Sequence, residues 1–281
     1  MIRPVQKALY TIIGNPVGHS LSPVMMNAVF EALNVPAVYL ALQADDLEED
    51  LETLSKLGVQ GISVTIPHKE SAYRLASSTD EPAHAMGAVN TLRLHGTQWE
   101  GRNTDWIGAN AALGHHLETF TGRRALVIGA GGAARAVVYG LKREEVSVTI
   151  SNRGIERGEN LAKSFHCDFI ALSEFQQTNV GRDFDIIVQC TPIGLMNEDE
   201  STLVPDNLFR PGMVVLDTVY RPLWTPFLRK ARAADCVTVS GVEMLLHQGI
   251  AQLEWWFGEL IRPEVALPVM KKALMGALED E

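Results

Sequence analysis

A turn made only of small residues, Gly129-Ala130-Gly131-Gly132-Ala133-Ala134, leaves this chain few ways to fold. Before it, Ala125–Ile128 is an apolar, strand-sized run; after it, Arg135–Lys142 reads as the start of a helix. The spacing fits G-x-G-x-x-[GA]. The first glycine permits the tight turn, the second lets the backbone approach a pyrophosphate, and the small Ala134 lets the helix pack close to the strand. The helix N-terminus offers N–H groups and partial positive charge to phosphates. Gly129, Ala130, Gly131, Gly132 and Ala133 are therefore candidate cofactor-binding residues. A small-residue turn with no ligand would share this composition, but the strand-then-helix setting favours a dinucleotide.

The end of the next strand, Ser147–Ile150, bears on which dinucleotide. NAD sites usually place an acid about 20 residues beyond the glycine turn, to bond the ribose 2′-hydroxyl. Here the segment is Ser151-Asn152-Arg153-Gly154-Ile155-Glu156-Arg157, with no acid at the strand tip. Arg153 and Arg157, four residues apart, suit a 2′-phosphate through charge-assisted bonds, which favours NADP. A solvated, charged helix start is the competing explanation.

The same alternation of apolar strands with helix-period segments runs along the whole chain. Leu9–Gly14, Ala37–Leu42 and Gly61–Ile66 read as buried strands, as do Asp185–Cys190, Met213–Asp217 and Val237–Ser240. Ser22 followed by Pro23 offers an N-cap and a first-turn proline for a helix through about Leu33. Asp45–Leu57 places Leu47, Leu51 and Leu54 on one face, with acids in its first turn. Helices Glu243–Leu260 and Glu264–Leu278 close the chain. This order predicts an α/β protein of two domains with largely parallel sheets.

Composition narrows the partners. With 34 acidic and 24 basic residues the chain carries a formal charge of −10, which disfavours nucleic acid and anionic membranes. An anionic ligand must then be held by a local arrangement. Three cysteines without a C-x-x-C pair, no signal-peptide core and no long apolar run predict a soluble protein of the reducing cytoplasm.

Several polar residues sit at strand ends, where α/β folds place ligands. Ser20 and Ser22 flank a helix start and can hold a carboxylate, although capping alone would explain Ser22. Lys69 follows a buried strand end and Pro67, as a candidate acid/base or electrostatic group. Asn90 and Thr91, and then Asn103, Thr104 and Asp105, add amides, hydroxyls and a carboxylate. Singly, each is more often a turn former or cap. Together with a dinucleotide turn they suggest a site for a polyhydroxylated acid. His115 and His116 are adjacent on an expected helix and point to different faces, a poor metal pair, so no metal is expected. The absence of Gly-x-Ser-x-Gly weakens a hydrolase reading. Trp255 and Trp256 read as packing residues.

Taken in order, GNPVGHSLSP (14–23), SVTIPHKE (63–70), GAVNT (87–91), NTD (103–105), GAGGAAR (129–135), SNRGIER (151–157), DTVYRPLWTPFL (217–228) and GVEMLLHQG (241–249) resemble the shikimate dehydrogenase family, which includes quinate-using members. The resemblance covers nearly the whole chain. It implies reversible NADP-dependent oxidation of shikimate to 3-dehydroshikimate, a step of aromatic amino-acid biosynthesis. A quinate/shikimate dehydrogenase using both NAD and NADP is the alternative. By motif, Ser20 and Ser22 would hold the substrate carboxylate, and Thr65, Asn90, Asp105 and Gln248 its ring hydroxyls. Lys69 and Asp105 would be the catalytic pair, with Tyr220 bordering the substrate. Besides the glycine turn, the cofactor would meet Asn152, Arg153, Arg157, Thr218, Gly241 and Glu81.

The implied fold is an N-terminal α/β substrate domain (1–106), a Rossmann-type doubly wound dinucleotide-binding domain (107–242) and C-terminal helices (243–281) returning to the first domain, in a monomer or homodimer. Three departures stand out. Gly154 replaces the family's usual threonine, which would weaken the preference for NADP. Ser63 replaces asparagine before V-T-I-P. Trp106 replaces a common glycine after Asp105, which would reshape the pocket rim.

Overall fold

The computed structural model describes residues 7–177, 183–195 and 204–279. Among these residues the chain forms two sheets of six strands each and divides into two compact units, residues 1–104 with 248–281, and residues 105–247.

In the first unit, β1 (Ala8–Gly14) leads to α1 (Ser22–Ala32), β2 (Ala37–Gln43), α2 (Leu47–Lys56) and β3 (Val59–Val64). α3 (Lys69–Leu75), β4 (Ser78–Thr79), α4 (Glu81–Met86), β5 (Thr91–His95) and β6 (Gln98–Arg102) follow. The sheet order is β2-β1-β3-β5-β6-β4. β1 lies between β2 and β3, parallel to both. α2 forms as its sequence predicts: the Asp46 carboxylate accepts the N–H groups of Glu48 and Glu49, and Leu47, Leu51 and Leu54 are buried. The Trp99 indole donates to the Leu51 carbonyl at 3.1 Å beneath this helix.

The expectation of a largely parallel sheet fails here at β5, which runs antiparallel to both β3 and β6. The reason is a short hairpin. Gly96, at φ +64°, makes the turn between β5 and β6, and Leu94 faces Trp99 across the ladder. The N-terminus of α1 also differs from expectation, because Leu21 occupies the N-cap and Ser22 is the first helical residue.

The second unit begins with α5 (Asp105–Gly114), β7 (Arg124–Ile128), α6 (Gly132–Arg143), β8 (Ser147–Asn152), α7 (Ile155–Phe165), β9 (Asp168–Ala171) and α8 (Leu172–Gln177). It continues with β10 (Ile186–Gln189), β11 (Val214–Asp217), α9 (Pro226–Ala233) and β12 (Val237–Val239), and with the start of α10 (Gly241–Phe257). All pairs in its sheet are parallel, in the order β12-β11-β10-β7-β8-β9. This is the doubly wound order, in which the first strand pairs with the second and the fourth, and the switch lies at the carboxyl end of β7. The core on one face joins Ala125, Val127, Val137, Leu141, Ile150, Val188 and Leu216.

The boundary between the units falls within α10, so Gln248–Phe257 belongs with the first unit together with α11 (Pro263–Glu279), which packs on α1. Trp256 seats on β3 at Gly61, where an added Cβ would lie 2.7 Å from the indole and from Tyr10. The Trp256 indole donates to the Leu92 carbonyl at 3.0 Å. Arg93 and Arg102 each stand 4.7 Å from the centre of the Trp255 ring.

Two glycine substitutions test this packing with opposite signs. Gly61→Ala forces the Trp256 seat apart and should destabilise by about 1–3 kcal/mol. Gly276→Ala, inside α11 with open space around its Cβ position, should stabilise by about 0.5–1 kcal/mol. Thermal denaturation of both proteins checks the pair; equal shifts of one sign would contradict it.

Candidate active site

In the first unit, candidate residues gather where β1 and β3 end side by side. A Cβ on Gly14 would collide with the Thr65 methyl and lie 3.0 Å from the Ile66 carbonyl, so this approach requires glycine. The Thr65 N–H donates to the Ile13 carbonyl and the Asn15 N–H to the Ile66 carbonyl, both at 2.9 Å. These bonds join the end of β1 to the segment that follows β3. Ser22 does not take the N-cap position that capping propensity gave it. Ser22 is buried within the first turn of α1, and it is the Ser20 hydroxyl that accepts an N–H, from Ser22 at 3.3 Å.

Lys69 is the first residue of α3 and half-buried. Its carbonyl accepts the Val89 N–H at 2.9 Å, which ties the start of α3 to the segment that carries Asn90 into β5. The buried His68 ring, 2.9 Å from the Ala44 carbonyl, anchors the same turn. Asn90 is buried, and its amide nitrogen donates to the Thr104 hydroxyl at 3.0 Å and to the Gln248 amide oxygen at 3.3 Å. Residues separated by 158 positions thus form one polar cluster. Asp105 is buried at the first position of α5, in the second unit.

In the second unit, candidate residues surround the carboxyl end of β7. Gly129 adopts φ +119°, and a Cβ there would lie 3.2 Å from the Cys190 carbonyl group. Gly131 is the N-cap of α6 without a side-chain cap, and nothing lies within 4 Å of its Cβ position. Packing gives no reason for glycine at 131, whereas a phosphate approaching the first turn of α6 does; the cradle fits a pyrophosphate. Arg157 donates from Nε to the Ala130 carbonyl at 3.0 Å, so it is joined to the turn itself. Arg153 is exposed at the end of β8. Asn152 donates to the Gly154 carbonyl at 2.8 Å and fixes the bend leading to α7. The placement suits a 2′-phosphate between cationic side chains.

Thr218 and Gly241 also meet. A Cβ on Gly241 would lie 2.7–2.8 Å from the carbonyl oxygens of Asp217, Thr218 and Val219, so only glycine admits the start of α10 there. Tyr220 is half-buried in the same loop. Glu81 is exposed at the start of α4 and belongs to the first unit, whereas the glycine turn belongs to the second.

Residues 12–92 match the shikimate dehydrogenase substrate binding domain, and residues 112–197 match the shikimate/quinate 5-dehydrogenase family. The whole chain is 56% identical to the shikimate dehydrogenase (NADP(+)) of Syntrophobacter fumaroxidans, over 98% of that protein. The chain belongs to the shikimate dehydrogenase family. A crystal structure of a shikimate dehydrogenase in complex with NADP+ superposes with a TM-score of 0.87 at 33% identity, covering 98% of both chains. The Thermus thermophilus enzyme, in complex with NADP(H) and shikimate, gives 0.83 at 32% identity over 95% of this chain and 99% of that one.

Within this family fold, two of the three departures acquire a structural reading. The Trp106 ring meets Tyr139 edge-on at 5.6 Å, with the Arg143 guanidinium 5.3 Å above it, so it holds α5 on α6. Ser63 accepts a hydrogen bond from Tyr39 and donates to Gln252. Gly154 is the N-cap of α7 and provides no side-chain cap. His115 and His116 lie just beyond α5, and both approach the Glu243 carboxylate, at 3.8 and 3.6 Å. No group of three metal-ligating side chains able to hold an ion is found among the described residues.

Sequence reading passed over Asp217, at the carboxyl end of β11. Its carboxylate accepts the Val219 N–H at 3.0 Å and the Thr225 hydroxyl at 2.7 Å, and so shapes the loop carrying Thr218 and Tyr220. The signal was a lone acid ending an apolar strand. Burial pushes its pKa up from 3.8 to about 7, with the two hydrogen bonds opposing. An acid whose pKa is raised by folding binds its proton more tightly in the native state. Stability therefore falls as pH rises between about 4 and 7, by at most about 1.4 kcal/mol per pH unit. Asp217→Asn should flatten this slope, so that the Tm of the variant relative to the parent rises from pH 5 to pH 8. Parallel Tm–pH curves would contradict it.

Proposed function

We propose that this chain is an NADP-dependent shikimate dehydrogenase that reversibly oxidises shikimate to 3-dehydroshikimate in the cytoplasm, as a step of aromatic amino-acid biosynthesis. The observation that carries this reading is the full-length 56% identity to a shikimate dehydrogenase (NADP(+)). Ser20 and Ser22 hold the substrate carboxylate through hydroxyl and backbone donors. Thr65, Asn90, Asp105 and Gln248 bind the ring hydroxyls, and Tyr220 borders the ring. Gly129, Ala130, Gly131, Gly132 and Ala133 receive the pyrophosphate, and Asn152, Arg153 and Arg157 the 2′-phosphate. Thr218 and Gly241 lie at the nicotinamide end. Glu81 is assigned to a cofactor contact by motif alone.

Bound NADP supplies the hydride acceptor. The protein orients the alcohol carbon and manages the proton. As the hydride equivalent leaves the carbon, the hydroxyl proton passes to the Lys69–Asp105 pair, and the alcohol becomes a ketone. Lys69 therefore acts on the reacting oxygen and not on general affinity. The enzyme works as a monomer or homodimer, with every residue assigned above belonging to one chain.

Lys69→Ala should lower kcat by about a thousandfold while the shikimate KM changes only a few-fold. Steady-state rates check it, and a large change confined to KM would sink the catalytic role. The uncapped Gly154 favours a second reading, in which NAD is used beside NADP. Gly154→Thr, adding a hydroxyl at the N-cap of α7, should raise the NADP-to-NAD ratio of kcat/KM about tenfold if that hydroxyl reaches the 2′-phosphate, an interaction of about 1.4 kcal/mol. An unchanged ratio would leave the two arginines as the whole of the discrimination.

A further inference from the structure

Behind the Asn90–Gln248 pair lies a chain of buried hydrogen bonds whose direction can be read from two backbone groups. The Thr104 N–H can only donate, so the Asn90 amide atom 2.8 Å from it is the oxygen Oδ1. The Asn90 carbonyl can only accept, so the Gln252 atom 3.3 Å from it is the nitrogen Nε2. Gln252 Oε1 is then turned to Ser63, whose one hydroxyl proton donates to it at 2.7 Å. Ser63 in turn accepts the Tyr39 phenol at 2.6 Å. On its other side Gln252 Nε2 also donates to the Thr91 hydroxyl at 3.0 Å. Thr91 passes its own proton to Asn90 Oδ1 at 2.7 Å. Asn90 Nδ2 is thereby the donor toward Gln248 Oε1.

Every member is buried: Tyr39 and Thr91 fully, Gln252 to 1% and Asn90 to 2% exposure. Reversing any one amide would set lone pair against lone pair, or N–H against N–H, where water does not compensate.

We infer that Thr91 and Gln252 are positioning residues that fix the donor–acceptor polarity of the Asn90–Gln248 pair. The inference rests on the substrate role given to that pair above. Gln248 uses its carbonyl oxygen on Asn90, so the group it brings to a ligand is its amide N–H. An N–H suits any ligand oxygen with a lone pair, whether hydroxyl or carbonyl. The Gln248 N–H then meets both members of an alcohol–ketone pair with the same polarity. A polarity fixed the other way would accept from the alcohol and repel the ketone.

The test compares Thr91→Val, which is nearly isosteric but lacks the hydroxyl, with Thr91→Ser, which restores it, and with Gln252→Met. Two readouts are taken: steady-state constants for shikimate and NADP, and NMR hydrogen exchange of the Asn90 side-chain amide without ligand. Thr91→Val and Gln252→Met should speed that exchange and raise the shikimate KM about tenfold, the size of one lost neutral hydrogen bond. The NADP KM should stay within about twofold in both. Thr91→Ser should restore both readouts. A fall in Tm with unchanged exchange and KM overturns the inference, and so does faster exchange with an unchanged KM. If one variant fails to fold, the other decides. If the unmodified protein turns over no shikimate, the functional reading fails by itself. The relay is then judged by exchange alone, faster supporting it and unchanged overturning it.

Discussion

The polar groups buried beside the central strands of the first sheet complete their hydrogen bonding with a helix that arrives much later in the chain. The Asn90 carbonyl and the Thr91 hydroxyl, at the edge of β5, receive the Gln252 amide across 162 and 161 positions of sequence. A buried polar group left without its partner costs about 1–3 kcal/mol. The first unit is therefore not complete at Thr104, and it closes when the last part of α10 and all of α11 join it. Trp256 on Gly61 and the two arginines on Trp255 secure that return with apolar and cation–π contact. Gln248 comes with it, one turn before Gln252, and so the partner of Asn90 is delivered by the same contact that completes the fold.

The parts of the structure governed by local rules were legible in the sequence. The glycine turn after β7 stands where G-x-G-x-x-[GA] put it, and α6 starts at Gly132, three residues earlier than the apolar periodicity suggests. α2 follows from its leucine spacing and acidic start. The β5–β6 hairpin was missed because Leu92–Gly101 alternates only briefly around one glycine, too short a pattern to set against the surrounding parallel order. The N-cap fell on Leu21 and not on Ser22 because capping preference names a residue type, while the position of the N-cap depends on how the loop from Gly14 enters the helix. Asp217 was not singled out, because its importance lies in the Val219 and Thr225 groups that fold back on it. The Thr91–Gln252 relay is invisible to any local pattern, since its members are brought together by tertiary packing alone.

Charge has a similar division between the whole and the part. A formal −10 disfavours polyanions at a distance, where the summed field acts. It does not govern an anion seated against N–H groups of a helix start, where the nearest dipoles dominate and the field falls within the first turn. Gly129 and Gly131 keep that approach open, and Arg157 is bound to the turn by its own Nε donor. A carboxylate at Ser20 and Ser22 would be held in the same way, by hydroxyl and backbone donors without a cation.

The central claim is that these local arrangements make the chain a shikimate dehydrogenase that uses NADP. Initial rates followed at 340 nm, with shikimate or quinate paired with NADP or NAD, test it most directly. The account predicts the highest kcat/KM for shikimate with NADP. No absorbance change with shikimate and either nucleotide, or a higher value for quinate with NAD, would contradict it.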